Sequence, residues 1–165
     1  MIFNNKQNTR VKDVSGKGHW VSRSVVVVVM LVWKSHFLLV RRGPAVMQTG
    51  YYCMPCGYLD WDETVEECAF REVWEETGID LSKYVNVKNI KPSYIISDPK
   101  ASRKQDISFN FIIELNSEKQ PEFDLDIVDK GETTDIQWVD ISDISNYKIA
   151  FNHDKKILNY VNGSV

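Results

Sequence analysis

Glu72, Glu75 and Glu76 stand at i, i+3 and i+4 within Arg71-Glu72-Val73-Trp74-Glu75-Glu76-Thr77. On a helix that spacing throws three carboxylates onto one face. Like charges so placed repel by about 0.2–0.5 kcal/mol per pair on an exposed surface, and by more where the face is partly buried. Val65, Cys68 and Ala69 project in the same direction, so the cluster wants a cation. Oxygen ligands without His or thiolate partners suit a hard divalent ion, Mg²⁺ or Mn²⁺, which would in turn hold phosphate oxygens. Without further context, three glutamates are more often a solvated helix face.

The element that must carry them is marked at both ends. Thr64 and Glu67 have capping-box spacing, and Gly78 stands where a left-handed residue closes a helix, so a helix is expected over about 65–77. Reading outward from it gives Gly57, five residues, Glu63, seven residues, then Arg71-Glu72-Val73-Trp74-Glu75-Glu76-Thr77-Gly78-Ile79. At every defined position this matches G-x5-E-x7-R-E-U-x-E-E-x-G-U, with U aliphatic, and the chain therefore resembles the Nudix hydrolase family. Met54-Pro55 before the box and Trp138-Val139-Asp140 after it are similar to the family too. One position departs: family members commonly carry a second glycine just before the first, and here Cys56 stands there.

The resemblance implies an α/β fold, a Nudix-type α/β/α sandwich with a mixed β-sheet. It implies Glu72, Glu75 and Glu76 as metal ligands, the Gly57 carbonyl as a further one, and Mg²⁺ or Mn²⁺ as cofactor. Glu63 would lie near the site, and Arg71 would orient the glutamates through charge-assisted hydrogen bonds. The family cleaves nucleoside diphosphates linked to a further group, chemistry that needs charge neutralisation and a water held in line. A carboxylate must also take the water's proton, either a box glutamate or one from a later loop. Glu132 is the candidate outside the box, and an ordinary exposed loop acid is the equal alternative.

Specificity must come from elsewhere. Ala150-Phe151-Asn152-His153 is similar to the Ala-Phe-Asp-His segment of Nudix proteins related to ADP-ribose pyrophosphatases. Phe151 could stack on a base or ribose and Asn152 or His153 bond to it, or Phe151 could anchor the last helix in the core. Arg41, Arg42, Arg103 and Lys104 are candidate partners for a diphosphate. The favoured substrate is ADP-ribose or a similar nucleotide sugar. The alternatives are modified nucleoside triphosphates, cleaved by the same chemistry, and a Nudix-fold sensor that binds without cleaving, against which the intact glutamate set weighs.

The remaining sequence bounds these readings. The 165 residues, 43% apolar, 12% aromatic and 26% charged, suit one globular domain, expected over 20–165 after a polar, weakly structured segment 1–19. A net charge of −3 offers no field for a nucleic acid or an anionic membrane, and the resemblance implies a small nucleotide as partner. Family members are often dimers, which makes a homodimer an expectation. Three cysteines, a polar start and no long apolar run suit a soluble, cytoplasmic protein with free thiols. Cys53 and Cys56 form a CxxC, but nothing completes a zinc site.

The unbroken run Val25 to Trp33 reads as a strand buried on both faces, followed by a second strand from His36 to Arg42. Further strands are expected near Val85 to Ile96, from Asp106 to Leu115 and from Ile136 to Val139, with a last helix from Asp154 to Asn162.

Overall fold

The computed structural model describes residues 9–102 and 104–165. Nine strands and two α-helices follow one another as β1 (Thr9–Lys12), β2 (Gly18–Val21), β3 (Val25–Trp33), β4 (His36–Arg42), β5 (Tyr52–Cys53), β6 (Cys56–Tyr58), α1 (Val65–Thr77), β7 (Tyr94–Ile96), β8 (Ile107–Glu114), β9 (Thr133–Asp140) and α2 (His153–Val161).

β3 is the spine of the sheet. It pairs antiparallel with β4 and β6 and parallel with β8, while β4 pairs with β5 and β9, and β8 with β7. The sheet is mixed, as expected. A strand with neighbours on both sides and helices over both faces has no solvent side, which is why Val25–Trp33 shows no polar alternation. Val27, Val29 and Leu31 face α1 through Cys68, Ala69 and Val73. Val28, Met30 and Val32 face Ile157 of α2. This is the α/β/α sandwich. The β3–β4 reversal is tight because Lys34 takes a left-handed backbone at φ 55°.

Two stretches differ from the sequence reading. Residues 85–96 do not form one strand: a 3₁₀ turn occupies Val87–Asn89, and only Tyr94–Ile96 pairs with β8. The Asn86 side chain accepts the Lys88 N–H and turns the backbone, and Pro92 cannot donate to a ladder. The segment expected to be weakly structured holds a hairpin, β1 against β2. Asp13 organises its turn by accepting the N–H groups of Ser15 and Lys17 at 2.9 and 3.0 Å. Among the described residues no helix is long and apolar enough to cross a membrane.

Cys56 opens β6 opposite Val28 in regular pairing and has no positive φ. The backbone at that point does not require the glycine common in the family.

Candidate active site

α1 begins and ends where local chemistry dictates. Thr64 accepts the Glu67 N–H at 3.2 Å, and Glu67 returns the bond to the Thr64 N–H at 2.8 Å. Gly78 closes the helix at φ 73° with the Asp124 backbone packed on it, where any side chain would clash. Between these caps the apolar stripe of α1 rests on β3, and the adjoining stripe presents the glutamates to a cavity.

Arg71 organises the acidic face. Its Nε and Nη2 grip Glu63 at 3.0 and 2.7 Å, and Nη2 also donates to the Tyr58 carbonyl at 2.9 Å. Nη1 bridges Glu72 at 2.7 Å and Glu75 at 2.9 Å. One guanidinium therefore ties the box loop to the helix. Arg71 holds Glu63 down to about 2, while its own proton is held more firmly by the same bonds.

The three box carboxylates differ in surroundings. Glu72 is only 7% exposed and lies so close to Gly57 that a Cβ there would land on its carboxylate. Burial, outweighing the nearby Arg71, pushes Glu72 up to about 6. Glu76 is half-buried and accepts the Cys56 N–H at 3.2 Å; burial pushes its pKa well above the ordinary value. Glu75 is exposed. Two acids raised by burial, with one guanidinium shared among the group, form a site short of positive charge.

Hard oxygen donors of this kind fit a divalent cation. Among the described residues no three His, Cys, Asp or Glu side chains already converge as a coordination shell. Arg71 bridges Glu72 and Glu75. Cys53, Cys56 and Cys68 are free thiols, two of them buried.

The carboxylates line one wall of a cavity of about 830 Å³, within the range of small-molecule sites. Arg42, Glu132, Phe151 and Asn152 line it as well. Arg42 donates to the Met47 carbonyl at 2.6 Å, and its guanidinium carbon lies 4.7 Å from the Phe151 ring centroid. Phe151, at φ 59°, is 36% exposed, so its ring forms cavity wall rather than core. Glu132 is exposed on a loop pinned to β4 through its carbonyl, which accepts the Gly43 N–H at 2.6 Å. Lys104 lines the cavity too, bonded to the Tyr58 hydroxyl at 2.9 Å.

Arg41 is not brought to this group. Neighbouring strand residues face opposite ways, and Arg41 points to solvent with Nε on the Gly50 carbonyl at 3.3 Å. Arg103 lies outside the described residues.

One wall residue, and the buried residue that holds it, escaped the sequence reading. Lys156 on α2 donates to Asn110 of β8 at 2.7 Å, and Lys156 lines the cavity. The signal was present: His153, Lys156, Ile157 and Tyr160 share one helical stripe, and a lysine on a core-facing stripe has something to meet.

Comparisons with known proteins agree with this geometry. The family model for the NUDIX domain matches residues 21–161. The NAD-capped RNA hydrolase NudC of Chromobacterium violaceum is 31% identical over 115 residues, covering 69% of this chain and 37% of that protein. The chain thus spans well under half the length of that relative. The ADP-ribose pyrophosphatase of Methanocaldococcus jannaschii is 25% identical over 156 residues, 94% of this chain and 83% of that one. Among solved structures, a bifunctional NMN adenylyltransferase/ADP ribose pyrophosphatase from Francisella tularensis, complexed with AMP and a manganese ion, superposes with a TM-score of 0.71 at 22% identity, covering 87% of this chain and 42% of that one. The NUDIX domain of Shewanella oneidensis NrtR, complexed with ADP ribose, gives 0.64 at 17% identity over 88% of this chain and 90% of that one. With the box intact from Gly57 to Ile79 and the family model matching most of the chain, this protein belongs to the Nudix family.

Proposed function

We propose that this chain hydrolyses the pyrophosphate bond of a nucleoside diphosphate joined to a second moiety, with ADP-ribose or a similar nucleotide sugar as substrate. One observation carries the reading: a single cavity has box carboxylates on one wall and the Phe151 ring, backed by Arg42, on another. Two ends of one ligand are thereby catered for, a diphosphate and an aromatic base. The Methanocaldococcus relative, which matches along nearly the whole chain, supports the substrate class.

Glu72, Glu75 and Glu76, with the Gly57 carbonyl, are the residues to hold Mg²⁺ or Mn²⁺. When bound, the ion supplies charge neutralisation at the non-bridging oxygens. Arg71 keeps Glu63, Glu72 and Glu75 in register and, being held by several acids at once, limits their wandering. Glu132, on the rim of the same cavity, takes the proton of the attacking water. Phe151 stacks on the base, Asn152 bonds to the nucleoside and Arg42 steadies the ring while facing the diphosphate.

A panel of ADP-ribose, NADH, dinucleoside polyphosphates and oxidised nucleoside triphosphates, scored by product with Mg²⁺ and with chelator, tests this. AMP and ribose 5-phosphate released from ADP-ribose only with the metal is the expected result. Pyrophosphate released from a triphosphate, with ADP-ribose untouched, would replace the reading.

A further inference from the structure

The wall of the cavity formed by α2 carries a cation that the proposed function leaves without a task. Lys156 Nζ donates to Asn110 Oδ1 at 2.7 Å. Asn110 is 2% exposed, and its amide nitrogen is held by the Ser108 carbonyl and hydroxyl, both at 3.1 Å. The amide is therefore locked with its oxygen toward the lysine. This is a built mount: a buried asparagine, fixed from behind, holds a long side chain at one point of the cavity wall.

An ammonium has three protons to donate, and Asn110 takes one. Among the described residues no carboxylate pairs with Lys156. The titratable groups that act on it are His153 on α2 and Cys56 on β6; Arg42 acts on His153 in turn, and the box carboxylate Glu76 lies beyond Cys56, whose N–H it accepts at 3.2 Å. His153 is buried, its Nδ1 accepts the Met54 N–H at 3.1 Å, and so its own proton sits on Nε2 as a further donor. Burial without a counter-anion pulls Lys156 down to about 8, which leaves it mostly charged at neutral pH. The neutral carbonyl of Asn110 takes one proton but leaves the charge of this half-buried ammonium uncompensated. An anionic oxygen compensates it and takes both spare protons.

We propose that Lys156 is a substrate-binding residue that donates to a phosphate oxygen of the nucleoside diphosphate in the cavity it shares with the box carboxylates, with Asn110 and Ser108 as its positioning residues. The assignment rests on the nucleoside diphosphate reading of the cavity, which it deepens: the protein grips the diphosphate directly as well as through a metal. A contact present in both the bound ground state and the transition state lowers KM and leaves kcat nearly alone.

Lys156→Gln and Lys156→Arg test it, the second keeping a charged donor for Asn110. With ADP-ribose, K156Q raises KM about tenfold or more while kcat stays within about threefold, and K156R recovers most of the loss. Calorimetric titration reads the same contact without turnover: AMP binds K156Q about tenfold more weakly than wild type, and adenosine, which lacks the phosphate, binds both alike. Equal AMP affinity in wild type and K156Q, no AMP binding to wild type, or equal weakening of AMP and adenosine would each overturn the assignment. So would K156R behaving as K156Q does while both melt early, since that marks a purely structural lysine. A wild type that turns over the triphosphates alone, with AMP still bound through Lys156, would instead sink the substrate reading and leave the phosphate contact standing.

Discussion

The two walls of the cavity solve opposite electrostatic problems. The α1 wall presents Glu72, Glu75 and Glu76, and Arg71 ties the first two to Glu63 behind them. The α2 side gathers donors, Lys156, His153 and Arg42, without a carboxylate among them. On α1 burial raises Glu72 and Glu76, and on α2 it lowers Lys156 and His153. A diphosphate with its cation is a ligand that matches both walls at once.

Breaking the acidic wall should have the largest effect. Glu76→Gln or Glu75→Gln is expected to cut kcat on ADP-ribose by about a thousandfold, with KM changing far less, because the lost ligand serves the transition state. Steady-state kinetics at limiting Mg²⁺ checks this, and wild-type-like turnover would remove both residues from the metal set.

Removing the organiser should act on stability as well as rate. Arg71→Met leaves Glu72 buried without its partner and frees Glu63, at a cost of about 2–3 kcal/mol, discounted from a fully buried pair because Arg71 is partly exposed. Urea unfolding measures it. A midpoint unchanged from wild type would mean that the carboxylates repack without the guanidinium.

On the opposite side, Phe151→Ala is expected to raise KM for ADP-ribose by roughly tenfold and leave kcat within a factor of about three, the signature of a stacking contact worth about 1 kcal/mol. A loss in Tm equal to that of a core truncation, with KM untouched, would return Phe151 to the role of helix anchor.

The smallest effect is a slope on the acid side. Glu63, held at about 2 against its ordinary 4.5, adds stability that is fully present above 4.5 and fades as the pH falls through about 2. Glu63→Gln should flatten that part of the stability–pH curve by about 1 kcal/mol, this being a partly solvated pair.

The same comparison separates what could be read in the sequence from what could not. The acidic wall was legible because everything that builds it is local: Thr64 and Glu67 start the helix, Gly78 ends it, and the glutamates keep their spacing on it whatever the rest does. The mixed sheet was legible for a related reason, since nine apolar residues from Val25 to Trp33 have nowhere to go but between two layers. The donor wall needs β4, β8 and α2 brought together across more than a hundred residues, so Arg42 was one basic residue among several and Lys156 one lysine on a terminal helix. Arg41 and Arg42 differ in the structure only because a strand turns alternate residues to opposite faces. The stretch from Val85 to Ile96 looked strand-like by composition, and the side-chain turn at Asn86 and the break at Pro92 outweighed it. In the hairpin of β1 and β2 a single aspartate, Asp13, decides the turn.

Titration of the protein with Mn²⁺, followed by the loss of free-ion paramagnetic signal, tests the central claim most directly. The account expects saturable binding that is lost or weakened at least tenfold in Glu76→Gln and unaffected by Lys156→Gln. Equal binding by wild type and Glu76→Gln, or no binding by either, would contradict it.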